Sequence, residues 1–193
     1  MLQATETTSR PVEKPRADAS PAARTLDLDA LSVRSFEELE SMYLAAPEPT
    51  SLRGADGKPR GRMLAVKRLS GPIAGGIRSF AASPSFVWDG KTFASTSDQR
   101  GSGHNRVNLP GVLGKQSLFP FETRIDVSAL DGKKTIVLDY DLAANPAYIR
   151  RIHDEIREIE PGLYLGPAML KLASGPVTVL WFALDTRAPS TWT

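Results

Sequence analysis

The residues best suited by type and spacing to do chemistry are Asp139 and Asp141, in the stretch TIVLDYDL. An extended chain turns successive side chains to opposite faces, so the two acids share a face with Val137 while Ile136, Leu138, Tyr140 and Leu142 share the other. Facing outward, the pair is two solvated charges. Facing into a pocket, each carboxylate needs a partner or a raised pKa, and two coupled carboxylates there could transfer protons. Both orientations are open at this stage.

A second candidate is SDQRGSGHNRVNLPG, residues 97–111, the longest polar, glycine-rich run in the central part of the chain. It lacks the Gly-Lys-Ser/Thr ending of a phosphate-binding loop, and Gly101 and Gly103 have no strand-turn-helix setting for a dinucleotide. It reads as a surface loop or a pocket rim carrying His104, Asn105 and Arg106, which would orient a ligand. Tyr164, on a strand farther along, adds a polar group to that set. With two histidines and no cysteine, a thiolate nucleophile and a sulfur-based zinc site are excluded, and no spacing supports a carboxylate-rich metal site. No G-x-S-x-G nucleophile elbow and no cofactor motif occurs, so neither metal nor cofactor is expected.

The elements that must position these residues follow from pattern. Residues 1–30 have few bulky apolar side chains to offset the entropy of ordering and are expected to form a disordered arm, with one β-rich domain over 31–187 and a flexible tail at 188–193. In SFEELESMYLAA, Ser35 and Glu38 have capping-box spacing, which predicts a short amphipathic helix ended by Pro47. From Arg62 on, short apolar runs alternate with turn residues. RMLAVKRL reads as a strand, SFVWDGKTFAST as a hairpin turning at Asp89-Gly90, and LFPFETRIDV with KTIVLDYDL as a hairpin turning at Asp131-Gly132. LYLGPAMLKL and PVTVLWFAL flank Ser174-Gly175 and are apolar on both faces. In NPAYIRRIHDEIREI, Asn145 stands at an N-cap position, Pro146 in a first turn, and Ile149, Ile152, Ile156 and Ile159 in one stripe, which predicts a helix over 146–159 with His153 at its border. The fold class is therefore α+β, a mostly antiparallel and strongly curved sheet or closed barrel with two covering helices.

Lys and Arg total 24 against 22 Asp and Glu, a net charge of +2 that does not argue for a nucleic-acid partner, and the aromatics fall on strands without a basic stripe. No apolar run approaches the roughly 20 residues that span a bilayer, so no membrane span and a cytoplasmic location are expected. Oligomeric state is open.

The segments SFEELESMY, GKPRGRML, LDYDLAANPAYIRRIHDEIR and LYLGPAML, in that order over roughly residues 35–184, resemble bacterial GXWXG-domain proteins with their companion domain. The chain departs from that pattern at Pro59, where the family has its tryptophan between Gly57 and Gly61. More broadly the chain resembles lipocalin-like or calycin-like barrels, and the resemblance implies a cavity for a small hydrophobic molecule, lipid-, terpenoid- or polyketide-like. The polar groups fixing its orientation would be drawn from His104, Asn105, Arg106, Asp139, Asp141 and Tyr164. The alternative is a cofactor-independent isomerase or cyclase in the same pocket, with Asp139 or Asp141 moving a proton and Arg106 steadying an enolate-like oxygen. A third reading is an interaction module that uses the arm before Thr25.

Overall fold

The computed structural model describes residues 25–67, 87–109 and 111–188. Most of the arm expected over 1–30 and of the tail expected over 188–193 lies outside these residues. The described chain opens with α1, Leu28–Ser32, where the Asp27 carboxylate accepts from the Ala30 amide and Leu28 and Leu31 are buried. Helix α2, Phe36–Ala45, carries both arms of the Ser35/Glu38 capping box.

Eight strands follow: β1 Arg60–Val66, β2 Val87–Ser95, β3 Arg100–Leu109, β4 Gly114–Val127, β5 Lys134–Asp139, β6 Ile152–Glu160, β7 Leu163–Leu172 and β8 Gly175–Asp185. Each pairs antiparallel with its sequence neighbour, and β1 pairs with β8 (Arg60 opposite Asp185), so the sheet closes into a barrel in up-and-down order. Closure leaves no sheet edge in need of a partner.

Alternation along each strand divides the apolar residues between two clusters. Phe93, Phe121, Ile136, Leu138, Ile156, Tyr164, Leu180, Phe182 and Leu184 form the interior cluster. Leu163, Leu165, Trp181 and Ala183 point outward and are buried by Leu28, Leu31, Leu39 and Tyr43 of the two helices. This explains why β7 and β8 are apolar on both faces. One barrel end is closed by a short 3₁₀ turn, Arg53–Ala55, whose Ala55 and preceding Leu52 enter the interior cluster, and Gly57 bridges to Phe93. The opposite end carries the β3–β4 connection, residues 140–151 and the β7–β8 turn, and Ile149 reaches the interior there.

Three expectations are corrected. The helix predicted over 146–159 is absent: residues 147–151 form turns and β6 runs from Ile152. In IHDEIREIE, Ile152 and Ile156 are four apart, a spacing that suits one face of a helix and one face of a strand alike. A helix there would leave the facing edges of β5 and β7 unpaired, and the strand fills that gap. Asn145 is no N-cap either, since its amide nitrogen donates to the carbonyls of Pro120 (2.7 Å) and Tyr140 (2.9 Å). Second, Asp89-Gly90 lies inside β2, at a bulge between Trp88 and Gly90, and the positive φ of Gly90 serves the close approach of Pro59 O rather than a hairpin turn. Third, the polar run at 97–111 is largely strand β3. A Cβ on Gly101 would lie 2.7 Å from Ala94 O, and one on Gly103 2.0 Å from Thr92 O, so these glycines are present for packing and not for mobility.

Candidate functional site

Inside the barrel, strands β2, β3 and β6 and the residue just beyond β5 bring a polar cluster together. Lys91 of β2 is 2% exposed, and its ammonium donates to Asn105 Oδ1 (2.9 Å), the Tyr140 hydroxyl (2.5 Å) and Asp154 Oδ2 (3.0 Å). Asn105 comes from β3, Tyr140 from just beyond β5, and Asp154 from β6. The Tyr140 hydroxyl donates to Asp154 Oδ2 (2.9 Å), and Trp88 Nε1 donates to Asn105 Oδ1 (3.0 Å). Asn105 Nδ2 completes the set, reaching the Tyr140 hydroxyl (3.2 Å) and the Phe119 carbonyl (3.4 Å). Phe119 is the single non-glycine of positive φ among the described residues, at the bulge where β4 passes Asn105.

Aromatic faces surround the ammonium. The ring centroids of Phe182, Phe121, Tyr140 and Trp88 lie 5.0, 5.3, 5.3 and 5.5 Å from Lys91 Nζ. Such contacts partly replace the lost hydration of a cation. Burial still pushes the Lys91 pKa down, with the Asp154 charge opposing it. Burial, together with the Asp154 charge, drives the Tyr140 phenol well above its ordinary value, so it stays protonated and donates to the carboxylate. Asp154 is 3% exposed, and no described residue donates to its Oδ1.

Of the residues picked from the sequence, only Asn105 belongs to this cluster. Tyr164 is also interior but sits beside the 3₁₀ turn: a Cβ on Gly54 would lie 2.5 Å from its hydroxyl, and burial with the nearby Glu158 charge raises its pKa. Asp139 faces outward, paired with Lys171 (3.1 Å) and Arg124 (3.2 Å). Burial alone would raise its pKa, but the Asp141 amide and these two cations hold it below the usual carboxylate range. Asp141 is exposed and pairs with Arg150 (2.7 Å), so the expected catalytic pair faces away from the barrel interior. His104 is exposed. Arg106 is fully buried on the face opposite Asn105, donating to the carbonyls of Pro59 (2.6 Å) and Asp89 (3.1 Å), where it ties β1, β2 and β3 together. His153, expected at a helix border, lies on the outer face of β6 and contacts Glu155 Oε1 at 3.0 Å.

Lys91, Tyr140 and Asp154 escaped the sequence reading although each had a signal. Tyr140 shares its face with Ile136 and Leu138, the more apolar face of β5, which had to point inward and so turns Asp139 outward. Lys91 alternates in phase with Phe93, and Asp154 with Ile152 and Ile156, but the second pattern was masked by the helical reading of β6.

The outer face has a buried network of its own. Glu155, fully buried beneath α2, accepts from Ser128 Oγ (2.6 Å), the Tyr43 hydroxyl (2.7 Å) and the Ala129 amide (2.8 Å). Beside it, Arg157 forms a two-pronged pair with Asp131 (2.7 and 2.8 Å) and lies over the Tyr43 ring. These groups fasten α2 and the β4–β5 turn to the barrel.

Among the described residues no group of three or more His, Cys, Asp or Glu could hold a metal ion, and no helix is long and apolar enough to cross a membrane. The class of protein is a closed, eight-stranded antiparallel barrel with a buried Lys-Asp-Tyr-Asn cluster. No family model and no curated protein matches the chain. Among solved structures, a protein from Thermomonospora curvata is similar, with a TM-score of 0.48 and 18% identity over 80% of this chain and 89% of that one.

Proposed function

We propose that the barrel is lipocalin-like in use as well as in shape, binding a small, largely apolar molecule in its interior above Lys91. The observation that carries this reading is the unsatisfied Asp154 Oδ1 within an otherwise saturated polar cluster walled by Trp88, Phe121, Tyr140 and Phe182. A barrel of this strand number can be filled by its own side chains or hold one small ligand, and an open acceptor beside a buried ion pair is a place where a ligand's donor would be received. The ligand is lipid-, terpenoid- or polyketide-like.

Native mass spectrometry of the protein purified from its own host, followed by denaturation, tests the reading. A released apolar compound is the expected result. An empty protein that also takes up no terpenoid or fatty alcohol at millimolar concentration overturns it.

A second reading, a cofactor-independent isomerase or cyclase, is favoured by the Tyr140–Asp154 hydrogen bond of 2.9 Å. Asp154 would take the place expected of Asp139 and Asp141, with Tyr140 as its proton-bearing neighbour. It requires Tyr140→Phe to abolish turnover of the released compound while leaving its binding intact.

A further inference from the structure

A lysine inside a barrel invites the assumption that it anchors an acidic ligand. Counting donors and acceptors leads elsewhere. An ammonium has three N–H donors, and those of Lys91 have three acceptors in place: Asn105 Oδ1, the Tyr140 hydroxyl and Asp154 Oδ2. Asn105 has no spare capacity, because its carbonyl oxygen accepts from Lys91 and Trp88 while its amide donates to Tyr140 and Phe119. The Tyr140 hydroxyl accepts from Lys91 and Asn105 and donates to Asp154. Asp154 Oδ2 accepts twice. One atom of the cluster remains, Asp154 Oδ1, and it is an acceptor.

Charge leads to the same conclusion. Lys91 and Asp154 cancel, so a carboxylate entering the barrel would bring an uncompensated negative charge into an apolar interior and set it against an acceptor oxygen. A neutral hydroxyl adds no charge and supplies the missing donor. We infer that the ligand is a neutral hydroxyl compound, an alcohol, phenol or enol, whose O–H is received by Asp154 Oδ1, and that Lys91 holds the carboxylate in place without binding the ligand. The inference rests on the binding reading above and narrows its ligand class.

The test uses the full-length protein and three probes of one carbon skeleton: geraniol, its methyl ether, and geranic acid, each titrated by calorimetry. The expected result is that geraniol binds about tenfold more tightly than the ether or the acid, the discrimination typical of leaving a buried polar group unpaired. Equal affinity for geraniol and its ether overturns the inference but leaves the binding reading standing, since a water would then be satisfying Asp154. Tightest binding of the acid overturns it by making Lys91 the anchor. Binding of none of the three counts against the reading and the inference together. The double variant Lys91→Met/Asp154→Leu, which removes the acceptor without stranding a charge, is expected to bind geraniol and its ether equally. A preference for geraniol that survives in it places the hydroxyl elsewhere and overturns the assignment. Should the double variant fail to fold, the wild-type series alone decides.

Discussion

Replacing Lys91 with methionine leaves the Asp154 carboxylate buried, 3% exposed, with the Tyr140 hydroxyl as its remaining described donor. Breaking a buried pair by removing one partner costs about 3–5 kcal/mol, and Asp154→Leu should cost about as much by stranding the ammonium. The double variant Lys91→Met/Asp154→Leu has no charge to strand. It keeps the Trp88–Asn105 bond, and its main loss is the acceptor of the Tyr140 hydroxyl, worth about 1–3 kcal/mol. The two single losses therefore sum to roughly 6–10 kcal/mol while the double variant loses about 1–3 kcal/mol, a coupling of several kcal/mol. Urea unfolding followed by the fluorescence of the buried Trp181 and half-buried Trp88 reads all four corners of the cycle. Additive losses, or a loss below about 1 kcal/mol for Lys91→Met, would refute the argument that the pair is a closed and mutually dependent unit. A double variant as stable as the wild type would mean that the cluster is kept for a reason other than stability.

Two further outcomes follow from the barrel wall. Hydrogen bonds from Arg157 lower the Asp131 carboxyl from 3.8 to about 2, so the pair stabilises the fold fully above the unfolded pKa and loses that contribution as pH falls from about 4 to 2. After allowance for solvent screening this is about 1–2 kcal/mol, and Asp131→Asn should lower stability at pH 7 by that amount with little effect at pH 2, as read by urea titrations at the two pH values. A Cβ on Gly166 would lie 1.7 Å from the Glu155 carbonyl oxygen, so Gly166→Ala should cost more than about 3 kcal/mol. Gly132→Ala, with φ of 74° and nothing within 4 Å, should cost only about 1–2 kcal/mol. Equal melting temperatures for these two variants would contradict the packing account.

What the chain settled by local pattern is considerable, because the forces involved are local. The Ser35–Glu38 box starts α2 where its spacing says, since both hydrogen bonds lie within four residues. The Asp131-Gly132 turn joins β4 to β5, and Ser174-Gly175 lies where β7 turns into β8, because short turns are governed by a few backbone angles. Alternation along TIVLDYDL separated Asp139 from Tyr140 correctly and left open only which face was inside. Tertiary structure decided the rest. The four-residue spacing of Ile152 and Ile156 suits one face of a helix or of a strand, and the unpaired edges of β5 and β7 choose between them. That choice carries Asp154 from a solvated helix face into the barrel, opposite a lysine 63 positions earlier in the chain. Lys91, Asn105, Tyr140 and Asp154 share no motif, for their neighbourhood exists only when the sheet closes on itself.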